Sequence, residues 1–173
     1  MTTKYPVFSF YLPKVNLLNA VFHHLWLENC DFTSANLESS NFDRSVIAKS
    51  YFNNANLQSA SFNDSRLVKV NFNGAFMQES RLTTKWSFST VDFTSANLTN
   101  ATVGSIYQLL DAFSIDSTVF PNGRQEDGTG NKSETLHFKT ITTGVTPFPG
   151  TVKRIFAENI AKVDPNGDGM IIK

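Results

Sequence analysis

The residue types that could do acid–base, nucleophilic or redox chemistry are few in this sequence and stand apart from one another. His23 and His24 are adjacent, His137 lies far along the chain, and Cys30 is the one cysteine. A single cysteine excludes an internal disulfide framework and any metal site built from several thiolates. The sequence contains no HExxH motif, nucleophile elbow or glycine-rich phosphate loop. We therefore predict that the protein is not an enzyme.

A second group of polar residues, near the C-terminus, points to metal chemistry. The segment 164–171 follows a predicted helix and resembles the first half of an EF-hand calcium loop. The resemblance implies that the calcium ligands would be Asp164, Asn166, Asp168 and Met170, the last through its carbonyl oxygen. The sequence stops at Lys173, before the acidic residue that would bind calcium through two oxygens. We expect weak calcium binding at most, and no other cofactor.

Three interpretations of this loop remain open. It is a plain turn that ends a helix, half of a motif from a longer calcium-binding polypeptide, or a weak site complete in itself. The preceding helix favours the EF-hand resemblance over one to dockerin loops. If the loop binds calcium, the protein is a calcium-dependent extracellular or assembly module.

Apolar residues recur at every fifth position over much of the chain. The series runs Leu17, Phe22, Leu27, Phe32, Leu37, Phe42, Ile47, Phe52, Leu57, Phe62, Leu67, Phe72, Met77 and Leu82. At 40% hydrophobic content, such a run arises by chance only a few times in roughly a million. Neither a helix of period 3.6 nor a strand of period 2 places every fifth residue inside. The spacing therefore indicates a repeat architecture.

Most of these apolar residues have a small residue two positions earlier, such as Ala20, Ala35 or Ser40. Segments 34–38, 54–58 and 95–99 resemble the A-(D/N)-L-x-x signature of the pentapeptide-repeat family, over about residues 12–103. The resemblance implies an all-β fold, a right-handed quadrilateral β-helix with four sides and twenty residues per coil. Residues twenty apart would stack into ladders of leucine and of phenylalanine at the ~4.8 Å spacing of neighbouring strands.

The repeat has one irregular step. After Leu82 the next apolar centre is Phe88, six residues on, so residues 83–87 are predicted to form a bulge or small loop. This is either a tolerated insertion or a functional loop that presents Trp86.

We predict three regions. Residues 12–103 form the β-helix, and residues 104–119 form a capping segment with a helix, because Ile106, Leu109, Leu110 and Phe113 have helical spacing. Residues 120–173 form a mixed C-terminal appendage with a loop, a short strand and a helix that ends in the calcium-type loop. The capping segment should cover the apolar core at the end of the last coil.

Charge and hydropathy narrow the classes of partner. The formal net charge is zero, and residues 12–103 contain seven acidic and seven basic residues, so nucleic acid is not an expected partner. A DNA-mimicking, topoisomerase-protecting role, known in this family, needs a strongly acidic surface and is the least favoured alternative. No apolar run reaches the ~18 residues of a membrane span. The first residues lack the apolar core of a secretory signal, and the compartment stays unassigned.

The side of the predicted β-helix that carries Leu27, Ile47 and Leu67 differs from the others in its outward residues. It displays Trp26, Val46, Arg66 and Val68, with Lys49 and Lys69 at its corner. Exposed tryptophan, valine and arginine in one strip are typical of an interface. We predict a non-enzymatic scaffold or protein–protein interaction module that docks a protein partner, or a second copy, on this side. Packing of the protein's own C-terminal segment there, or no role, remain alternatives.

Overall fold

The computed structural model describes residues 6–105, 108–109 and 111–121. Its strands are β1 (Val7–Phe8), β2 (Trp26–Glu28), β3 (Val46–Ala48), β4 (Arg66–Val68), β5 (Arg81–Leu82) and β6 (Thr102–Val103). Strands β1 to β4 form a four-stranded parallel sheet in sequence order, and β5 pairs with β6, also in parallel. Residues 108 and 109 are helical.

The chain winds in coils of twenty residues with four sides each. Tyr11 pairs with Asp31, Asn16 with Asn36, Val21 with Asn41 and Trp26 with Val46, all in parallel. These starting residues are five apart, so each coil makes four sides before it returns to the first. The predicted all-β solenoid is confirmed. Its right-handedness stays a prediction, and the predicted appendage after residue 121 lies outside the described residues.

Each side is named after its first inward residue of the series described above. The Leu17 side carries Leu17, Leu37, Leu57, Met77 and Leu98; the Phe22 side carries Phe22, Phe42, Phe62, Leu82 and Val103; the Leu27 side carries Leu27, Ile47 and Leu67; and the Phe32 side carries Phe32, Phe52, Phe72 and Phe93. In chain order the Leu17 and Leu27 sides are opposite each other. Nearly all of these side chains are buried.

The phenylalanine ladders fill the core. Within the Phe22 side, the ring centroids of Phe22 and Phe42 lie 4.7 Å apart and nearly parallel. Across the core, Phe42 meets Phe52 edge to face at 5.6 Å. Aromatic pairs in these geometries add about 0.5–1.5 kcal/mol each beyond the area they bury. The ladders of the predicted repeat are therefore present and closely packed.

The corners of the coil require left-handed backbone. Among the described residues, sixteen non-glycine residues have φ between 50° and 60°, mostly at five-residue intervals, and Gly74 has φ 66°. At most corners the N–H of the third residue after an inward residue donates to the carbonyl of that inward residue. Ala35 N–H donates to the Phe32 carbonyl in this way at 3.0 Å. A positive φ at the third turn residue is what a type II turn needs.

Where a polar residue precedes an apolar centre, its side chain can bond to the backbone of the corner. The side-chain oxygen of Asn36 accepts the N–H of Glu38, and Asp31 and Asn71 do the same for the residues two positions on. Asparagine and aspartate favour such local bonds. The D/N position of the signature therefore satisfies backbone donors at the corners.

The coil contains extra residues at two places, and the stack of coils continues past Val103. Asn71 pairs with Asp92, twenty-one residues on, which agrees with the extra residue predicted in 83–87. Asp92 then pairs with Ser114 and Asn97 with Val119, each twenty-two residues on. The ladder therefore continues to Val119 and does not stop at residue 103.

The predicted end cap needs a correction. Leu109 is fully buried against the core, whereas Phe113 is 76% exposed, so Phe113 does not cover it. Phe120 is buried in its place, because the next coil has resumed by then. Ile106 and Leu110 lie outside the described residues.

Candidate docking surface

The Leu27 side is built differently from the other three sides. Its pairing runs over two or three residues per strand, whereas the other sides of the early coils pair mainly through single bridges. At its corner the Cys30 N–H donates to the Ser50 hydroxyl at 3.0 Å, and the Ser50 hydroxyl donates to the Ala48 carbonyl at 2.8 Å. The side chain of Ser50 thus takes the place of the backbone turn bond after β2. The four strands of this side form one parallel sheet, which we call the flat sheet, and it includes β4, where Val70 stands at the position equivalent to Ser50.

Two outward columns run across this sheet. Trp26, Val46 and Arg66 are neighbours in one column, and Glu28, Ala48 and Val68 in the other. Trp26 is 39% exposed, Arg66 is exposed, and Val46 and Val68 are half-buried. The structure therefore brings together the four residues of the predicted docking strip that lie on the strands. Their docking role stays a prediction.

The predicted lysines stack along one corner of this sheet. Lys49 and Lys69 have φ of 50° and 55°, which turns both side chains out at equivalent positions of successive coils. The Lys49 ammonium lies 2.7 Å from the Glu28 carboxylate. An exposed pair of this kind stabilises a fold by about 0–1 kcal/mol, so its main effect is to neutralise Glu28.

Both chain insertions occur on the Leu27 side, and they contact each other. The Gln108 side-chain amide donates to the carbonyls of Thr84 at 2.5 Å and Trp86 at 2.9 Å. The Thr84 hydroxyl in turn donates to the Ser65 carbonyl at 2.9 Å. We call residues 83–87 together with Gln108 the ledge. It borders the flat sheet just beyond β4.

A glycine allows the ledge to pack closely. A Cβ on Gly104 would lie 2.9 Å from the Gln108 Oε1 atom and 3.2 Å from the Thr84 carbonyl oxygen. Both distances are tighter than ordinary contacts. Gly104 therefore makes room for the side chain that joins the two insertions.

The ledge presents Trp86 beside the predicted docking strip. Trp86 is 40% exposed, and the Arg66 guanidinium lies 5.2 Å from its ring centroid. The Lys85 ammonium lies 5.5 Å from the same centroid. The six-residue step in the sequence indicated a loop that carries Trp86, but its contact with Arg66 had no sequence signal.

The opposite, Leu17 side is a polar wall. The Asn36 amide donates to Asn16, and the Asn56 amide donates to Asn36, each at 3.1 Å. These bonds link asparagines from successive coils into a ladder. Phe76, 51% exposed, interrupts it, and Val15 and Leu18 are exposed apolar residues in its first coil. The side thus consists largely of side chains that satisfy each other or face water.

A polar groove on the Phe22 side was not expected from the sequence. It has a volume of about 380 Å³ and is lined by His23, His24, Asn41, Asp43, Arg44, Asn63 and Asp64. Asp43 is already engaged, because the Ser61 hydroxyl and the Asn63 N–H both donate to its Oδ1 atom. The two imidazoles are 5.0 Å apart. The groove is lined by both acidic and basic side chains.

Cys30 occupies a small inward position. Its side chain is fully buried, and the Phe10 N–H donates to its sulfur at 3.4 Å. Burial raises the pKa of the Cys30 thiol, against the smaller lowering effect of hydrogen bonds from the Phe10 backbone and Ser50. A protonated, enclosed thiol is a poor nucleophile.

Neither a metal-binding cluster nor a membrane-spanning helix occurs in the part of the chain that the structure describes. Within it, no three histidine, cysteine or acidic side chains are grouped so that they could hold a metal ion. None of its helices is long and apolar enough to cross a bilayer. The predicted calcium ligands, Asp164, Asn166, Asp168 and Met170, lie outside the described residues. Weak calcium binding there stays a proposal, which calorimetric titration of the whole chain with calcium tests.

The repeats match a known sequence family. Residues 16–50 and 48–83 match the family model for pentapeptide repeats, with eight copies. This part of the chain is therefore similar to pentapeptide repeats. A comparison with curated proteins found no match for the sequence.

Three solved structures are similar to parts of the chain. HetL, a pentapeptide repeat protein involved in heterocyst differentiation regulation from the cyanobacterium Nostoc sp. strain PCC 7120, is 19% identical with a TM-score of 0.42; the match covers 67% of this chain and 51% of HetL. QnrB1, a plasmid-mediated fluoroquinolone resistance protein, is 14% identical with a TM-score of 0.24 over 53% of this chain and 63% of that one. Rfr23, a pentapeptide repeat protein from the cyanobacterium Cyanothece 51142, is 17% identical with a TM-score of 0.21 over 54% of this chain and 59% of that one. The chain spans about half the length of HetL.

Proposed function

We propose that the protein is a non-enzymatic scaffold whose Leu27 side docks another protein. The pentapeptide repeats support an interaction module in general, because rigid solenoids present extended surfaces for binding. We choose the Leu27 side because of one observation: the flat sheet β1 to β4 displays Trp26, Val46, Arg66 and Val68 next to the ledge.

The physical case rests on what exposed side chains of this kind do at interfaces. Tryptophan and arginine are enriched at the energetic centre of protein interfaces, and aliphatic side chains exclude water around them. The sheet itself is held by backbone bonds and by the buried ladder beneath it. A partner would therefore meet a surface that is already in its binding conformation, which reduces the entropy lost on binding.

The experiment compares two double variants of the immobilised chain in partner capture from its native cell extract, with sedimentation velocity to detect self-association. Trp26→Ser with Val68→Ser should reduce specific association at least ~10-fold, because each change removes exposed apolar area at the centre of the strip. Melting temperature should change by less than about 5 °C, since neither side chain is in the core.

The matched control is Asn36→Ser with Gln58→Ser on the Leu17 side, which changes two outward residues of the polar wall. Association should survive this control. If both double variants retain association equally, the Leu27 side is not the docking surface. If the Trp26/Val68 variant unfolds, Trp26→Phe with Val68→Thr repeats the test with a smaller change in shape.

A further inference from the structure

Charge is segregated among the sides even though the net charge is zero. Basic residues on or beside the Leu27 side are Arg44, Lys49, Arg66, Lys69 and Lys85. The acidic residues there are Glu28 in the sheet, Asp64 at the corner before β4 and Asp111 beside the ledge. The opposite Leu17 side, from residue 15 to residue 100, carries Glu38 and Glu79, with Lys14 at the corner before it. The balance of charge over the whole chain therefore conceals a basic side that faces away from an acidic one.

Three of these basic groups, next to the ledge, form no ion pair with any described residue. Lys49 neutralises Glu28, and within the described residues no ion pair involves Arg66, Lys69 or Lys85. The Asp111 carboxylate accepts a hydrogen bond from the Ser87 hydroxyl of the ledge. Within the described residues, the end of the sheet next to the ledge thus carries three basic groups that form no ion pair.

The ledge concentrates two of these charges at one ring. The Arg66 guanidinium and the Lys85 ammonium both lie within 5.5 Å of the Trp86 ring centroid. The ring attracts each cation by about 0.5–1 kcal/mol, while the two like charges repel each other. A carboxylate placed beside the ring would be attracted to both cations and would relieve their repulsion.

The shape of the surface favours a protein segment over nucleic acid. Its middle is apolar, formed by Trp26, Val46 and Val68, and the free cations lie at its borders. An apolar centre with a polar rim is typical of protein interfaces. A nucleic-acid surface needs many phosphate contacts for affinity, and three free cations would supply few.

We propose that the Leu27 side binds an acidic protein segment. Its carboxylates contact Arg66, Lys69 and Lys85, and its apolar side chains pack on Trp26, Val46 and Val68. The inference rests on the proposed docking function and adds the chemistry of the partner. Because opposite charge attracts over about 8–10 Å at physiological salt, such a segment would also be steered to this side from solution.

The test uses the whole chain and a fluorescein-labelled random copolymer of glutamate and tyrosine in a 4:1 ratio, followed by fluorescence anisotropy. The copolymer supplies carboxylates and aromatic rings without a chosen sequence. Lys69→Glu is compared with Lys14→Glu. Both lysines are exposed, stand at corners with φ of 55° and 60°, and change the net charge equally.

Lys69→Glu should raise the Kd for the copolymer at least ~5-fold, and Lys69→Glu with Lys85→Glu at least ~20-fold, while Lys14→Glu changes it less than 2-fold. Raising NaCl from 50 to 300 mM should raise the Kd of the unmodified chain for the copolymer by ~5-fold or more. Circular dichroism of each variant confirms that the fold is intact.

Five results would overturn the inference, and the last of them leaves the docking function standing. The first is that the copolymer does not bind, and the second is that Lys14→Glu weakens copolymer binding as much as Lys69→Glu does. The third is that duplex DNA binds more tightly than the copolymer and responds to the same variants. The fourth is that the chain self-associates through contacts that Lys69→Glu abolishes, which would make the occupant a second copy. If Trp26→Ser with Val68→Ser abolishes partner capture but the charge variants do not affect the copolymer, docking stands and the acidic partner is wrong.

Discussion

At the residue scale, the left-handed corners accept many residue types, including ones with no preference for a positive φ. Lys49, Arg44 and Glu79 adopt a positive φ that costs an ordinary residue about 1–2 kcal/mol. Asparagine tolerates this conformation, and Asn19, Asn29 and Asn54 stand at such corners. The lysine, arginine and glutamate corners have no such preference. They are held because the ladders on either side fix the turn.

The buried thiol leads to a prediction about reactivity. Because Cys30 is enclosed and its pKa is raised by burial, it should react with a disulfide reagent such as DTNB at least ~100-fold more slowly in the folded chain than in urea. The control is Ser59→Cys in a Cys30→Ser background, which places a thiol at an exposed corner and should react rapidly. Equal rates at the two positions would contradict the burial.

The same raised pKa fixes the sign of a pH effect. Below the thiol pKa of the unfolded chain, about 8.5, both states keep the proton and stability is unaffected. Above it, the unfolded chain loses the proton first, so stability falls as pH rises toward the folded pKa. Cys30→Ser should remove this part of the alkaline loss, measured as urea midpoints between pH 8 and 10.

At the scale of elements, the five-residue period was enough to predict the ladders. It places Phe52 between Phe32 and Phe72, with ring centroids 5.0 and 5.1 Å away. Small inward residues such as Ala35 and Ser50 then leave room for the rings. The period could not predict the flat sheet of the Leu27 side, because the five-residue spacing is the same on all four sides.

A charge in the phenylalanine ladder should prevent folding. Phe52→Asp would bury an unpaired carboxylate in a closed aromatic core, at a cost of several kcal/mol on top of the lost ring contacts, against a typical total stability of about 5–15 kcal/mol. Circular dichroism should lose its β-rich signal. Tyr51→Asp, one residue away but 54% exposed, should keep the signal and cost no more than about 1 kcal/mol. A folded Phe52→Asp protein would contradict the closed core.

The second insertion shows where sequence reasoning failed. Ile106, Leu109, Leu110 and Phe113 have helical spacing, which predicted a cap, yet Phe113 faces water and the coil resumes at Ser114. The contact that organises this region joins Gln108 to Thr84, twenty-four residues earlier. A polar bond between two irregular segments leaves no periodic trace in the sequence.

At the scale of the whole molecule, the end of the stack can be tested by truncation. A fragment that ends at Val103 loses the coil that pairs with Phe93 and Leu98, and it exposes core that Leu109 and Phe120 cover. It should aggregate, as open solenoid ends do. A fragment that ends at Pro121 retains the described ladder and should remain monodisperse in sedimentation velocity. A monodisperse 1–103 fragment would show that the last coil is dispensable.

The pairing offset also determines how the molecule could change in length. Removal of twenty consecutive residues, for example 31–50, would delete one coil and return every later residue to its own side of the prism. Removal of five would preserve the corners but turn all later residues by a quarter of a circuit, so Arg66 and Lys69 would leave the side of Trp26. Duplication or loss of whole coils is therefore the unit by which such a chain can grow without rewriting its surface. The ledge, at one end of the flat sheet, would let that sheet lengthen while its border stays the same.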